Sequence, residues 1–191
     1  MLVDLACGSG GAGLWVARET ATQLVGVDIS PVAVEQAKGR ISAFGMEGRA
    51  EFRAADFAAT GLAAKAFDGA MSVDALFLVP DKTGSVRETL RILRPGARFV
   101  CTTWEVDMQG RIKDFRPLLE KAGFDVETYE ETEGWKERQV GVHQRVLEEK
   151  ETLIKEMGEA SARFWIAGAE FELSVIDSMR RVMFVARKRG A

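Results

Sequence analysis

The chain has 191 residues, 47% of them apolar and 29% charged, with 26 basic against 29 acidic side chains and a formal net charge of −3. That size suits one domain with a substantial core, and the lack of a basic stripe argues against nucleic acid as a partner. No apolar run approaches membrane-spanning length and no basic leader precedes a hydrophobic stretch, so the expected setting is cytoplasmic.

Strand and helix patterns alternate from the first residues. Residues 2–6 read as a buried strand that runs straight into Cys7-Gly8-Ser9-Gly10-Gly11-Ala12-Gly13. Glycines let a backbone approach a ligand closely, and the helix expected at 12–20 would point unpaired N–H groups at an anion. A second apolar strand, 23–27, ends at Asp28, which is placed to accept hydrogen bonds from a ribose diol. Ser30 can cap the next helix, 31–44, with Pro31 in its first turn. Strands follow at 50–54 and 68–74, a helix at 81–93, and a strand at 97–104 after the Leu93-Arg94-Pro95-Gly96 turn. A helix at 111–122 leads to a half-exposed strand at 124–131. Two helical stretches, 134–157 and 159–176, precede a terminal strand at 180–187. In this reading residues 1–191 form one domain, with about 132–178 as a helical insertion. Cys7 and Cys101 fall in strand or turn positions and read as small buried residues, not a disulfide framework.

Gly8 to Gly13 satisfies G-x-G-x-x-G, and Asp28 lies 20 positions after Gly8, which is the dinucleotide fingerprint. A nicotinamide-dependent oxidoreductase, NAD(P)-linked, is therefore one reading. Asp4 weighs against it, because a carboxylate inside the first strand suits a ligand that carries positive charge. S-adenosylmethionine has that pattern: a sulfonium, an ammonium, a carboxylate and an intact ribose diol.

Val3-Asp4-Leu5-Ala6-Cys7-Gly8-Ser9-Gly10 resembles the first motif of the class I S-adenosylmethionine-dependent methyltransferases of small-molecule type, with Ala6 where glycine is commoner. Val25-Gly26-Val27-Asp28-Ile29-Ser30 is similar to the second motif, and Ala54-Ala55-Asp56-Phe57 to the third. Phe67-Asp68 through Ser72-Val73-Asp74-Ala75-Leu76, then Pro80-Asp81-Lys82, resembles the fourth strand and its helix. Leu90-Arg91-Ile92-Leu93-Arg94-Pro95-Gly96 resembles the segment entering the fifth.

The resemblance implies an α/β, Rossmann-like, mostly parallel sheet of seven strands in the order 3-2-1-4-5-7-6. The last strand runs antiparallel, and helices cover both faces. It implies a cofactor site built from Asp4, Ala6, Cys7, Gly8, Ser9, Gly10, Asp28, Ile29, Ser30, Asp56, Phe57, Val73 and Asp74, with S-adenosylhomocysteine as the product. No metal is expected. Taken alone, Asp56 could instead cap a turn before Phe57. The acceptor, a small molecule methylated on O, N or C, would meet Phe77, Leu78, Trp104, Glu105 and His143.

His143 and Asp74 are the candidate catalytic groups. Each has a bland alternative: a solvent-facing helix residue for His143, a helix-side cap for Asp74. In-line transfer from a sulfonium needs alignment and exclusion of water, and a base only where the acceptor must lose a proton. Trp135, Phe164 and Trp165 are expected to pack the insertion onto the sheet, with Glu148 to Glu151 as a solvated face. The family carries helices ahead of the first strand; without them the pocket would be more open, and a homodimer could supply cover. A non-catalytic, methyltransferase-like interaction module is the remaining alternative.

Overall fold

A computed structural model describes residues 1–190. Its strands are β1 (Leu2–Leu5), β2 (Leu24–Asp28), β3 (Ala50–Ala54), β4 (Phe67–Val73), β5 (Leu93–Val106), β6 (Phe124–Glu131) and β7 (Met179–Lys188). They form one seven-stranded sheet in the order β3-β2-β1-β4-β5-β7-β6. The first five strands pair in parallel, and β7 runs antiparallel to both β5 and β6. This is the order and orientation that the family resemblance implied.

The two-residue period of β1 divides the core. Val3 and Leu5 point to the face covered by α3 (Lys82–Ile92) and α4 (Arg116–Ala122), packing with Phe67, Val86, Phe99, Leu119 and Phe184. Leu2 and Asp4 point the other way, toward α1 (Gly11–Glu19) and α2 (Pro31–Arg40), where Leu14, Ala17, Val34, Ala37 and Phe52 close a second core. Asp4 is therefore a carboxylate inside an apolar layer. Gly13 makes room for it: a Cβ there would stand 2.5 Å from Asp4 Oδ2.

Helix boundaries follow local chemistry. Ser30 Oγ accepts the Ala33 N–H and Pro31 opens α2, as expected from the sequence. The helix expected at 111–122 begins only at Arg116, because Pro117 lacks an N–H and is tolerated in the first turn alone. The turn at Leu93–Gly96 lies inside β5. There the pairing with β4 shifts register between Phe67 and Gly69, and Gly96 takes φ +78°.

Between β6 and β7 come α5 (Trp135–Glu148), α6 (Lys150–Met157) and α7 (Glu159–Val175). The stretch expected as one helix over 134–157 breaks at Glu149. Unbroken, its 24 residues would run about 36 Å, whereas the 17 residues of α7, against which both pieces pack, span about 25 Å. Folding at Glu149 lets both pieces use that surface, and Lys150 then reaches Glu170 at 3.0 Å.

Gly10 and Gly39 offer a paired test. Gly10 caps α1 at φ +78°, and a Cβ there would lie 2.8 Å from the Phe52 ring and 2.9 Å from Ala37 Cβ, whereas at Gly39 nothing lies within 4 Å. Gly10→Ala is expected to destabilise the chain by about 2–4 kcal/mol. Gly39→Ala, in the last turn of α2, should be neutral or stabilising by up to about 1 kcal/mol. Urea unfolding checks both; equal midpoints would contradict this packing.

Candidate active site

Beyond the carboxyl ends of β1, β2 and β4 lies a cavity of about 430 Å³ lined by Ala6, Asp28, Ile29, Asp56, Phe57, Val73, Asp74, Leu78 and their neighbours. Crevices at strand carboxyl ends are where open α/β sheets bind ligands. Two non-glycine residues on its wall hold left-handed backbone, Ala6 at φ +57° and Asp74 at φ +49°. Strain of this kind persists where surrounding structure enforces it, and it gathers at ligand sites.

Asp28 ties the wall together. Its Oδ2 accepts the Gly8 N–H at 2.8 Å and its Oδ1 the Ser30 N–H at 2.9 Å, so each oxygen keeps a lone pair for a further donor. Gly8, at φ +53°, has nothing within 4 Å of where a Cβ would be. The loop therefore presents bare backbone. Ser9 is held by Arg40, whose guanidinium donates to Ser9 Oγ at 2.8 Å. Asp56 Oδ1 accepts the Ala58 N–H at 2.7 Å, so the residue is both a turn cap and part of the cavity wall.

Asp4 and Cys7 lie behind the loop. Asp4 is 2% exposed and its Oδ2 has no hydrogen-bond partner. Burial pushes its pKa up to about 7, opposed by the Gly13 N–H and reinforced by the charge on Asp28. Burial, with Asp4 and Asp28 nearby, raises the Cys7 thiol to about 12, so it stays protonated and unreactive at neutral pH. A buried carboxylate with one unpartnered oxygen, beneath a loop whose Ser9 N–H has no acceptor while those of Gly8 and Gly10 are engaged, fits a ligand that pairs a carboxylate with a cationic amine.

Asp74 faces a partner that sequence reasoning missed. Arg181, on β7, reaches it with Nη2 at 2.8 Å and Nε at 3.1 Å. The pair spans 107 positions, and the only local signal was an arginine within an apolar strand.

A second cavity, about 200 Å³, lies beside the first, and Leu78 lines both. Its walls include Phe77, Trp104, Val106, Ile112, Phe115, Phe171, Val175 and Met179, with Lys82, Arg111 and Glu172 as the charged residues. Trp135 packs edge-on against Trp104 at 5.3 Å, fastening α5 to the sheet.

The structure redistributes several of the residues expected on the acceptor side. His143 does not face solvent and lines neither cavity: its Nε2 lies 2.8 Å from both Glu172 Oε2 and Gln139 Nε2, and the Gln139 amide donates to the same Glu172 oxygen at 3.1 Å. Glu172, unremarked in the sequence, is the carboxylate that reaches the cavity. Glu105 points to the opposite face of β5 from Trp104, as neighbours in a strand must. There it binds Arg180, the Phe115 N–H and the Tyr129 hydroxyl. Phe164 and Trp165 are 75% and 57% exposed and do not pack on the sheet. Phe164 stands seven residues before Phe171 on one face of α7, and Phe171 is the one that reaches the cavity.

A family model described as "Methyltransferase domain" matches residues 3–101. The chain belongs to that family, and with this sheet it is a class I S-adenosylmethionine-dependent methyltransferase by descent and fold. Membership favours S-adenosylmethionine over the nicotinamide cofactor that G-x-G-x-x-G left open. Methyltransferase GfsG of Streptomyces halstedii is 28% identical over 146 residues, 65% of this chain and 52% of that protein. The chloroplastic tocopherol O-methyltransferase of Arabidopsis thaliana is 30% identical over 103 residues, 54% of this chain and 30% of that one. The chain thus spans about half or less of the length of these relatives. Among solved structures, the [4+2]-cyclase SpnF superposes with TM-score 0.88 at 23% identity, covering 100% of this chain and 74% of its own. Haemonchus contortus phosphoethanolamine N-methyltransferase 2, in complex with S-adenosyl-L-methionine, does so with TM-score 0.81 at 22%, covering 98% and 48%. Identities this low show the fold alone. Among the described residues, no helix is long and apolar enough to cross a membrane.

Asp4 makes stability depend on pH. Its folded-state pKa of about 7 lies above the unfolded value of 3.8, so its contribution is complete below the unfolded value and lost as pH rises through 7. Asp4→Asn cannot ionise. Its stability relative to the parent protein should therefore grow by about 2–3 kcal/mol between pH 5 and pH 8. Urea unfolding at the two pH values measures this, and an unchanged gap would contradict the assignment.

Proposed function

We propose that the chain moves a methyl group from S-adenosylmethionine in the larger cavity to an O, N or C atom of a small molecule in the apolar one. The observation that carries this reading is that the two cavities share the wall residue Leu78, which puts a nucleotide-shaped site next to a mostly apolar one. When bound, the cofactor supplies an already activated methyl group.

The protein's work is then alignment and exclusion of water. The Ser9 N–H receives a carboxylate, in a loop that Cys7 and the engaged N–H groups of Gly8 and Gly10 hold in shape. Asp28 receives the ribose hydroxyls, while Ile29 and Ser30 border them. Asp56 accepts from the adenine amino group and Phe57 packs on the ring. Asp4 balances the cationic tail from behind, and Asp74 with Val73 closes the methionine end. Phe77, Leu78 and Trp104 wall the acceptor. Glu172 takes the proton where the acceptor is an O–H or N–H, and His143 acts as a positioning residue by holding Glu172. In this reading α5 to α7 are the lid of one domain.

The acceptor is a small molecule, not nucleic acid or a membrane surface; the acidic net charge and the small apolar cavity support this. Two cysteines with no disulfide between them support a cytoplasmic setting.

Isothermal titration tests the assignment. S-adenosylhomocysteine should bind saturably at one site per chain, and NAD should give no heat. Asp28→Ala removes charge-assisted bonds of about 1–3 kcal/mol each, so binding should weaken by at least about 30-fold while the variant stays folded by circular dichroism. Heat from NAD with none from S-adenosylhomocysteine would overturn the reading.

A further inference from the structure

The apolar cavity carries two cations that no carboxylate pairs with, although Glu172 lines the same space. Lys82, at the start of α3, and Arg111, on the loop after β5, line the same wall. Neither forms a salt bridge among the described residues. The Lys82 ammonium donates only to the Val79 carbonyl at 2.8 Å, and the Arg111 side chain has no hydrogen-bond acceptor among the described residues. The acids nearby are engaged elsewhere: Asp81 caps α3 through the Gly84 N–H, Asp107 faces Lys113, and Glu172 is held by His143 and Gln139. Burial, and then the neighbouring Arg111 charge, hold Lys82 below its ordinary value. Lys82 is half-buried and Arg111 reaches the cavity from an exposed loop, so an anion entering there would meet two cations that no carboxylate already engages.

We infer that the acceptor is an amphipathic anion: an apolar body lies against Phe77, Trp104 and Met179, and an oxyanion, carboxylate or phosphate, sits between Lys82 and Arg111. Arginine suits a two-oxygen contact, and lysine adds a point charge beside it. The cavity's size, about 200 Å³, admits a body of one or two fused rings or an equivalent alkyl chain. The two cations select for charge, and the apolar wall selects for shape. In treating this cavity as the acceptor's, the inference rests on the methyl-transfer reading.

Titration of the whole chain, saturated with S-adenosylhomocysteine, tests it with three probes of one shape: 2-naphthoate, 2-naphthyl phosphate and the neutral 2-naphthamide. At least one anion should bind about tenfold or more tighter than the amide. Which anion is preferred distinguishes a carboxylic acid from a phosphate ester. Lys82→Met with Arg111→Gln should erase that preference yet leave S-adenosylhomocysteine affinity unchanged. Equal binding of the amide, an anion preference that survives the double substitution, or no probe binding to a chain that binds S-adenosylhomocysteine would each overturn the inference. An intact anion preference in a chain that does not bind S-adenosylhomocysteine would instead overturn methyl transfer and leave the anion subsite standing.

Discussion

The carboxylate of Asp28 sets the geometry on which the cofactor cavity depends. β1 and β2 lie side by side in parallel, with Leu5 opposite Val27, so the turns leaving both strands must diverge around one point. Asp28 occupies it, binding the Gly8 N–H with one oxygen and the Ser30 N–H with the other. One side chain thereby holds the glycine loop and the entry to α2 in fixed relation. Hydrogen bonds to a charged acceptor contribute roughly 1.5–3 kcal/mol, enough to hold a strained loop whose residues Ala6 and Gly8 both sit at positive φ.

Glycine placement extends that constraint inward. Gly13 leaves space for the Asp4 carboxyl and Gly26 for the Phe52 ring, so β1, β2 and α1 approach one another with an acid between them. The acid is costly to bury and lacks a partner at Oδ2. With its pKa near 7 it is half ionised at neutral pH, so a cationic ligand nearby would draw it to the charged form and release protons. Ligand binding and the protonation of Asp4 are thus linked through the same few atoms.

How much was legible in the sequence follows the range of the interactions. The strand, glycine loop and acid of β1 to β2 could be read because their signals are local: φ > 0 favours glycine, and the 20-residue spacing from Gly8 to Asp28 sets the unit. Sheet order came from the family resemblance, because no local pattern says which strands lie side by side. The partners that remained hidden are distant ones. Arg181 meets Asp74 across 107 positions, and Glu172 meets His143 across 29. Only the folded chain brings Lys82 and Arg111 to one wall. Glu105 differs, because the two-residue strand period already sets it opposite Trp104.

The same fold is carried by proteins described as O-, N- and C-methyltransferases and by a described [4+2]-cyclase, so chemistry resides in the site and not in the sheet. The most direct test of the account is a crystal structure of the chain grown with S-adenosylhomocysteine. The expected density has the amino-acid carboxylate on the Ser9 N–H of the glycine loop, both ribose hydroxyls on Asp28, and sulfur directed toward Leu78. A ligand bound elsewhere, or a cavity that stays closed with Asp28 turned from it, would contradict the account.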